Sequence, residues 1–135
     1  MKPQITTLKN GLRIVTAEMM ESQTVTASVM VGVGSRYEKF QTNGGVSHFL
    51  EHLLFKGTAK RPNPSEISAE IDAVGGWNNA YTSNELTSYY VKVPRQHAVL
   101  ALDILSDMVQ NPLFDQAEID RERGVIIGSC CSVCR

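Results

Sequence analysis

The stretch Val46-Ser47-His48-Phe49-Leu50-Glu51-His52-Leu53 decides how the rest of this chain is interpreted. Successive residues of an α-helix turn by about 100°, so His48, Glu51 and His52 project from one helix face. Two neutral imidazoles can bind zinc, and a carboxylate between them can take a proton from a metal-bound water. The order His-x-x-Glu-His is the signature of one class of zinc peptidases. The stretch therefore predicts a helix that carries a zinc site.

The residues around the motif strengthen this interpretation. A short motif arises by chance in unrelated chains, and a lone histidine on a helix is more often packed or solvated than a ligand. Here Phe49, Leu50, Leu53 and Leu54 surround the polar triplet, so we expect the helix to be buried. Buried imidazole and carboxylate groups cost free energy unless they are paired or bind something. A bound metal would account for all three polar residues.

Length and charge restrict the possible partners. The 135 residues form one domain or part of one, with 42% hydrophobic and 20% charged residues. A net charge of -1 gives no reason to expect nucleic acid or an anionic membrane as a partner. No apolar run approaches the ~18 residues of a membrane span, and residues 1–7 lack the apolar segment of a secretory signal. We therefore expect a cytoplasmic location.

Five strands, two of them joined by a hairpin turn, are predicted from turn residues, alternation and β-favouring residues. Asn10-Gly11 lies between short apolar stretches and predicts a hairpin flanked by two strands. Every second residue from Val25 to Val33 is Val or Ala, the period of a strand with one face on a core. Residues 77–82 and 87–93 are rich in β-favouring types, and Pro94 ends the second of them.

Three further helices are predicted from apolar residues that recur every three or four positions, at 65–74, 95–109 and 115–127. Ile67, Ile71 and Val74 form the apolar stripe of the first of these helices, and Gly75 should end it. His97 falls in the first turn of the second, where we expect it to be solvated and not a ligand.

Several motifs in the same order give the chain a resemblance to a known family. They are Leu8-Lys9-Asn10-Gly11-Leu12, Gly44 to His52, Phe55-Lys56-Gly57-Thr58, Asn79-Ala80-Tyr81-Thr82, Tyr89-Tyr90 and Glu118 to Ile127. The chain resembles the pitrilysin and mitochondrial processing peptidase family of zinc metallopeptidases. The resemblance implies an α+β fold with helices packed on a mainly antiparallel sheet. It covers only the first part of the amino-terminal half of such proteins, whose two halves close around a peptide.

The resemblance also implies roles for particular residues. His48 and His52 would be the zinc ligands, Glu51 the general base, and Glu122 a supporting glutamate close to the metal. The strand at 77–82 would be the edge to which a peptide or protein substrate adds as a further strand, a mode in which main-chain hydrogen bonds supply most of the affinity. The substrate-binding residues on it would be Asn79, Ala80, Tyr81 and Thr82.

One position departs from the family pattern. The third zinc ligand of the family is a glutamate two turns after Glu122, where this chain has Ser129, and a serine hydroxyl is a poor zinc ligand. Glu122, the more distant Glu118, or Cys130, which points about 100° around the helix, could substitute. Without a substitute, zinc would be held weakly or not at all.

The replacement at this position leads to a prediction. Ser129→Glu should tighten zinc binding strongly, because it restores a carboxylate on the helix face of Glu122. A metal titration of both chains measures the effect. Equal zinc affinity in the two would refute the assignment of this position.

Residues 128–135 resemble nothing in the family and contain all three cysteines, Cys130, Cys131 and Cys134. Their clustering argues against a disulfide framework, and a Cys-x-x-Cys pair that follows a helix is unlike a thioredoxin-type pair, which opens one. We therefore divide the chain into a partial zinc peptidase domain at 1–127 and an atypical Cys-containing tail at 128–135. The tail is interpreted as an artificial or frame-disrupted end.

The sequence thus predicts a zinc-dependent metalloendopeptidase that hydrolyses peptide bonds by Glu-assisted attack of a zinc-bound water, in a truncated form of weak or no activity. The alternative is a non-catalytic peptide-binding or assembly subunit of the same fold, in a homo- or hetero-oligomer. A cysteine hydrolase using a terminal cysteine and a histidine lacks an identifiable orienting residue.

Overall fold

The computed structural model describes residues 2–133, except for the side chains of Phe40 and residues 128–133. Its helices and strands, in chain order, are β1 (Gln4–Thr7), β2 (Arg13–Thr16), β3 (Thr24–Val31), α1 (Phe40–Asn43), α2 (Val46–Leu53), α3 (Pro64–Ala73), β4 (Trp77–Thr82), β5 (Thr87–Pro94), α4 (Ala98–Gln110) and α5 (Gln116–Val133). Short 3-10 helices at Ser35–Tyr37 and Arg95–His97 precede α1 and α4. The predicted α+β class is confirmed.

The hairpin predicted at Asn10-Gly11 is present. Strands β1 and β2 pair antiparallel, from Gln4 opposite Thr16 to Thr7 opposite Arg13. Gly11 has a φ of 88°, a left-handed conformation that glycine adopts without strain. Local turn chemistry was therefore sufficient to predict this pair of strands.

A second antiparallel sheet has the order β3-β5-β4, so β4 lies at one edge. Its covered face carries Val25, Ala27 and Val29 of β3 against Tyr89, Val91 and Val93 of β5. The prediction that the apolar face of β3 continues to Val31 and Val33 was wrong, because these residues are 40% and 46% exposed. The ladder ends where Val31 faces Thr87, the first residue of β5, and the core ends with it.

Helices α3 and α4 form the core with the covered face of the sheet. The fully buried side chains include Ile67 and Ile71 of α3 and Ile104 and Met108 of α4. Val74, which was predicted to belong to this helix, lies just past the end of α3 and caps it. Gly75 follows with a φ of 71°. The pattern placed both helices correctly to within a few residues.

Helix α2 is less buried than its sequence suggested. Leu53 and Leu54 are buried, whereas Leu50 is 39% exposed and Phe49 only half-buried. The expectation of a buried helix was therefore only partly right, since the packing of α5, β4 and β5 on α2 leaves Leu50 exposed. His48 and His52 are half-buried as a result.

Helix α5 begins after Asp115, whose Oδ1 accepts hydrogen bonds from the N–H groups of Ala117 and Glu118. Its backbone continues to Val133, so the helix extends beyond the predicted end at Ile127. Within the described residues, no helix has the length and apolar character required to cross a membrane.

Candidate metal centre

The start of α2 is fixed by a carboxylate that lies before it in the chain. Glu38 Oε2 accepts the Gly45 N–H at 2.5 Å, and Oε1 accepts the Ser47 N–H at 2.7 Å. Burial alone would raise the pKa of Glu38, but hydrogen bonds from Ser47 and Gly45 outweigh it and hold the pKa below its usual value. An ionised carboxylate at a helix N-terminus is also favoured by the helix dipole. The first turn of α2, which carries His48, is thereby held in place.

The two histidines of the motif face each other across one helical turn. His48 Nε2 and His52 Nε2 lie 3.3 Å apart, and the two rings are nearly perpendicular, at 87°. Two nitrogens bound at 2.0–2.1 Å to one tetrahedral ion are separated by about 3.3–3.4 Å. The pair therefore already has the spacing of two ligands on one zinc ion.

The outer nitrogen of His52 is held by a buried glutamate from α5. His52 Nδ1 lies 2.9 Å from Glu122 Oε2, and Lys56 Nζ lies 2.7 Å from Glu122 Oε1. Burial would raise the pKa of Glu122, but the contacts with Lys56 and His52 outweigh it and lower the pKa. An ionised carboxylate only accepts hydrogen bonds, so the proton lies on His52 Nδ1. In a neutral ring this leaves a lone pair on Nε2, the atom that faces His48.

Glu51 lies on the same helix but contacts the sheet. Thr82 Oγ1 donates to Glu51 Oε2 at 2.6 Å, which joins α2 to the end of β4. No other hydrogen bond to this carboxylate comes from a described residue, so Oε1 is open to a proton donor. Burial, and after it the negative charge of Glu51, raise the pKa of Tyr89 to about 12. The phenol therefore stays protonated beside the carboxylate.

The predicted substrate-binding residues lie on the edge strand β4 and alternate between its two faces. Ala80 and Thr82 lie on the covered face, while Asn79 and Tyr81 are exposed on the other. The Ala80 N–H donates to Asn79 Oδ1 at 2.9 Å. Thr82 links this edge directly to Glu51.

The other proposed ligands are not brought to the histidine pair. Glu118 Oε1 accepts a hydrogen bond from Arg121 at 2.5 Å, and Glu122 contacts the far nitrogen of His52. Where side chains are described, no group of three or more His, Cys, Asp or Glu is arranged to hold a metal ion. The predictions for Ser129 and Cys130 concern side chains outside the described residues, as does the tail prediction for Cys131 and Cys134.

Two contacts of the site were not anticipated from the sequence. Lys56 follows His52 by four residues, so helical spacing could have pointed to it. Glu38 precedes the motif by ten residues. The only feature of the sequence that points to it is its position as an acidic residue ahead of the glycines that precede α2. His97, which we expected not to be a ligand, has its Nε2 3.2 Å from Gln96 Nε2.

Comparison with known protein families shows that the chain resembles peptidases. Residues 13–133 match the family described as Insulinase (Peptidase family M16). The chain belongs to this family of peptidases.

Individual relatives agree with the family match. The beta subunit of the mitochondrial-processing peptidase of Dictyostelium discoideum is 48% identical over 92% of this chain and 26% of its own length. An uncharacterized zinc protease of Bacillus subtilis is 44% identical over 89% of this chain and 29% of its own. The crystal structure of a protease from Helicobacter pylori superposes with a TM-score of 0.89 and 29% identity, over 95% of this chain and 30% of that one. The chain thus spans about a quarter of the length of its curated relatives.

Proposed function

We propose that this chain carries the metal-binding and proton-transfer residues of a zinc metalloendopeptidase. The observation that supports it most directly is the 3.3 Å separation of His48 Nε2 and His52 Nε2, with His52 Nδ1 held by Glu122. Relatives named as zinc proteases and processing peptidases support the same class of reaction.

His48 and His52 would hold the zinc ion, and both must be neutral to do so. Glu122 would keep the His52 ring oriented, since it contacts the nitrogen that faces away from His48. A third protein ligand completes most catalytic zinc sites, and the family resemblance puts it at position 129. Bound zinc would polarise the scissile carbonyl and lower the pKa of a water to about 7.

Glu51 would act as the general base. Its Oε2 is occupied by Thr82, which fixes the carboxylate plane and leaves Oε1 to take a proton from the attacking water. The same carboxyl would then deliver that proton to the leaving amine. Tyr89 would remain a neutral hydrogen-bond donor at the site, because its pKa is about 12.

The peptide would bind along the free edge of β4. An extended peptide can form main-chain hydrogen bonds with an edge strand, largely independently of its side chains. Because Thr82 on this strand contacts Glu51, a peptide placed there would have its backbone beside the general base. Trp77 and Tyr81, 48% and 45% exposed on the outer face, would contact its side chains.

A non-catalytic role is the second candidate. The processing-peptidase relatives are named as subunits, and the described side chains supply two facing imidazoles without a third ligand. In that case the β4 edge would bind peptides or a partner subunit without cleaving them.

A cleavage assay with metal controls separates the two candidates. The purified chain would be stripped of metal, loaded with zinc and incubated with a mixture of unstructured peptides read by mass spectrometry. The proposed function predicts cleavage, weak in the unsubstituted chain and stronger in Ser129→Glu, that a chelator abolishes and added zinc restores. Zinc and peptide binding without cleavage would support the non-catalytic role instead.

A further inference from the structure

Lys56 contacts the candidate centre from the turn that follows α2. Its backbone N–H donates to Leu53 O at 3.0 Å, so the chain still has helical geometry at this point. This places Lys56 one turn beyond His52 and on the same side of the helix. Its Nζ lies 2.7 Å from Glu122 Oε1, while the second oxygen of that carboxylate lies 2.9 Å from His52 Nδ1.

The carboxylate between Lys56 and His52 is the most buried member of the group. The Glu122 side chain is 6% exposed, against 28% for Lys56 and 32% for His52. A buried carboxylate has to be satisfied by protein groups, because little water reaches it. Lys56 and His52 therefore each satisfy one oxygen.

We propose that Lys56 is a positioning residue for His52 that acts through Glu122. With Oε1 fixed by the ammonium group, the carboxylate cannot rotate, and Oε2 stays aimed at the Nδ1–H of His52. That contact selects the ring tautomer whose Nε2 lone pair faces His48. This inference rests on the proposed zinc site and adds to it a residue that would not touch the metal.

Removing the ammonium should affect the tautomer and the metal affinity together. In Lys56→Met the carboxylate loses one of its two partners, so His52 gains access to the tautomer that carries its proton on Nε2. A nitrogen that carries a proton cannot bind a metal. We expect zinc affinity to fall about tenfold, the lower end of what loss of a supporting group costs.

The test uses the whole chain and three variants, Lys56→Met, Lys56→Arg and Lys60→Met. Lys60 forms a more exposed ion pair of similar length with Asp103 of α4, at 2.6 Å, and is the control for loss of a lysine ion pair. Zinc titration gives the affinity, ¹⁵N NMR of the metal-free chain gives the His52 tautomer, and thermal melting reports folding. Should Lys56→Met not fold, Lys56→Gln takes its place, because its shorter neutral amide does not reproduce the ion pair.

The expected result is weaker zinc binding and a mixed His52 tautomer in Lys56→Met, with most of both properties kept in Lys56→Arg and all of them in Lys60→Met. Unchanged tautomer and affinity in a folded Lys56→Met would overturn the inference. An unsubstituted chain that binds no zinc would count against the proposed function instead, and the tautomer in the metal-free chain would then decide the role of Lys56 alone.

Discussion

Glu51→Gln should lower the rate of zinc-dependent peptide cleavage by about 10²–10⁴-fold, the contribution of a general base. The amide has nearly the same shape as the carboxylate and can still accept the hydrogen bond from Thr82 Oγ1. In the unsubstituted chain this bond reaches Glu51 Oε2 at 2.6 Å. It has no basic oxygen with which to take a proton from water. Zinc affinity should remain unchanged, because Glu51 is not one of the proposed ligands.

The rate would be measured on the peptide mixture in the zinc-loaded chain and in its Ser129→Glu form, in which tighter metal binding should raise the baseline. Glu85→Gln, at an exposed carboxylate in the loop before β5, is the matched control and should leave the rate unaltered. If Glu51→Gln cleaves as fast as the unsubstituted chain, then another group takes the proton.

Arg61→Met should destabilise the fold more than any substitution of an exposed ion pair. The guanidinium is buried and contacts Glu70 at 2.9 Å, Asp103 at 2.8 Å and Asp107 at 3.1 Å. Removing one partner of a buried ion pair typically costs 3–5 kcal/mol, because the remaining charge is left uncompensated. Glu70 and Asp103 can turn toward water, so we expect a loss at the lower end of this range. Urea denaturation should show a free energy of unfolding lower by about 3 kcal/mol.

Arg36→Met is the matched control for this measurement. Arg36 pairs with Glu85 at the surface, where both side chains are more than half exposed, and such pairs contribute at most about 1 kcal/mol. Equal losses of unfolding free energy in the two variants would show that the buried network does not stabilise the packing of the loop after α2 on α4.

The same network predicts how stability depends on pH. Burial alone would raise the pKa of Asp107, but hydrogen bonds from Thr58, Asn111 and Arg61 outweigh it, and the net effect is a lowered pKa. Hydrogen bonds from Lys60 and Arg61 also lower the pKa of Asp103. In acid the unfolded chain therefore binds protons first, so this stabilisation is present above about pH 4 and is lost as the pH falls further. Urea denaturation at several pH values should show that the free energy of unfolding falls more steeply below about pH 4 in the unsubstituted chain than in Arg61→Met.

Local patterns were sufficient for most of the fold. The Asn10-Gly11 turn, the edge strand at 77–82 and the stripe that contains Ile67 and Ile71 depend on residues close in sequence, and turn chemistry and periodicity predicted them. Exposure was less predictable. Leu50 and Val33 continue apolar patterns but remain exposed, because burial depends on which elements pack nearby and not on the pattern itself.

In the candidate site too, some contacts follow from the local sequence and others depend on packing. One helical turn brings His48 and His52 together, so their spacing followed from the sequence. The contact of Glu122 with His52 joins residues 70 positions apart and depends on how α5 packs against α2, which no local pattern specifies. Only the family resemblance gave Glu122 a place near the metal, and neither it nor the motif assigned a role to Lys56 or Glu38.

Isothermal titration of the metal-free chain with zinc tests the central claim most directly. The proposed site predicts one zinc ion per chain, with an affinity that falls in His48→Ala and His52→Ala by more than the roughly 10–100-fold that loss of a supporting residue costs. His97→Ala, which removes the histidine outside the pair, should bind zinc as the unsubstituted chain does. Zinc binding that survives both single substitutions, or no zinc binding by the unsubstituted chain, would contradict the assignment of His48 and His52 as the ligands.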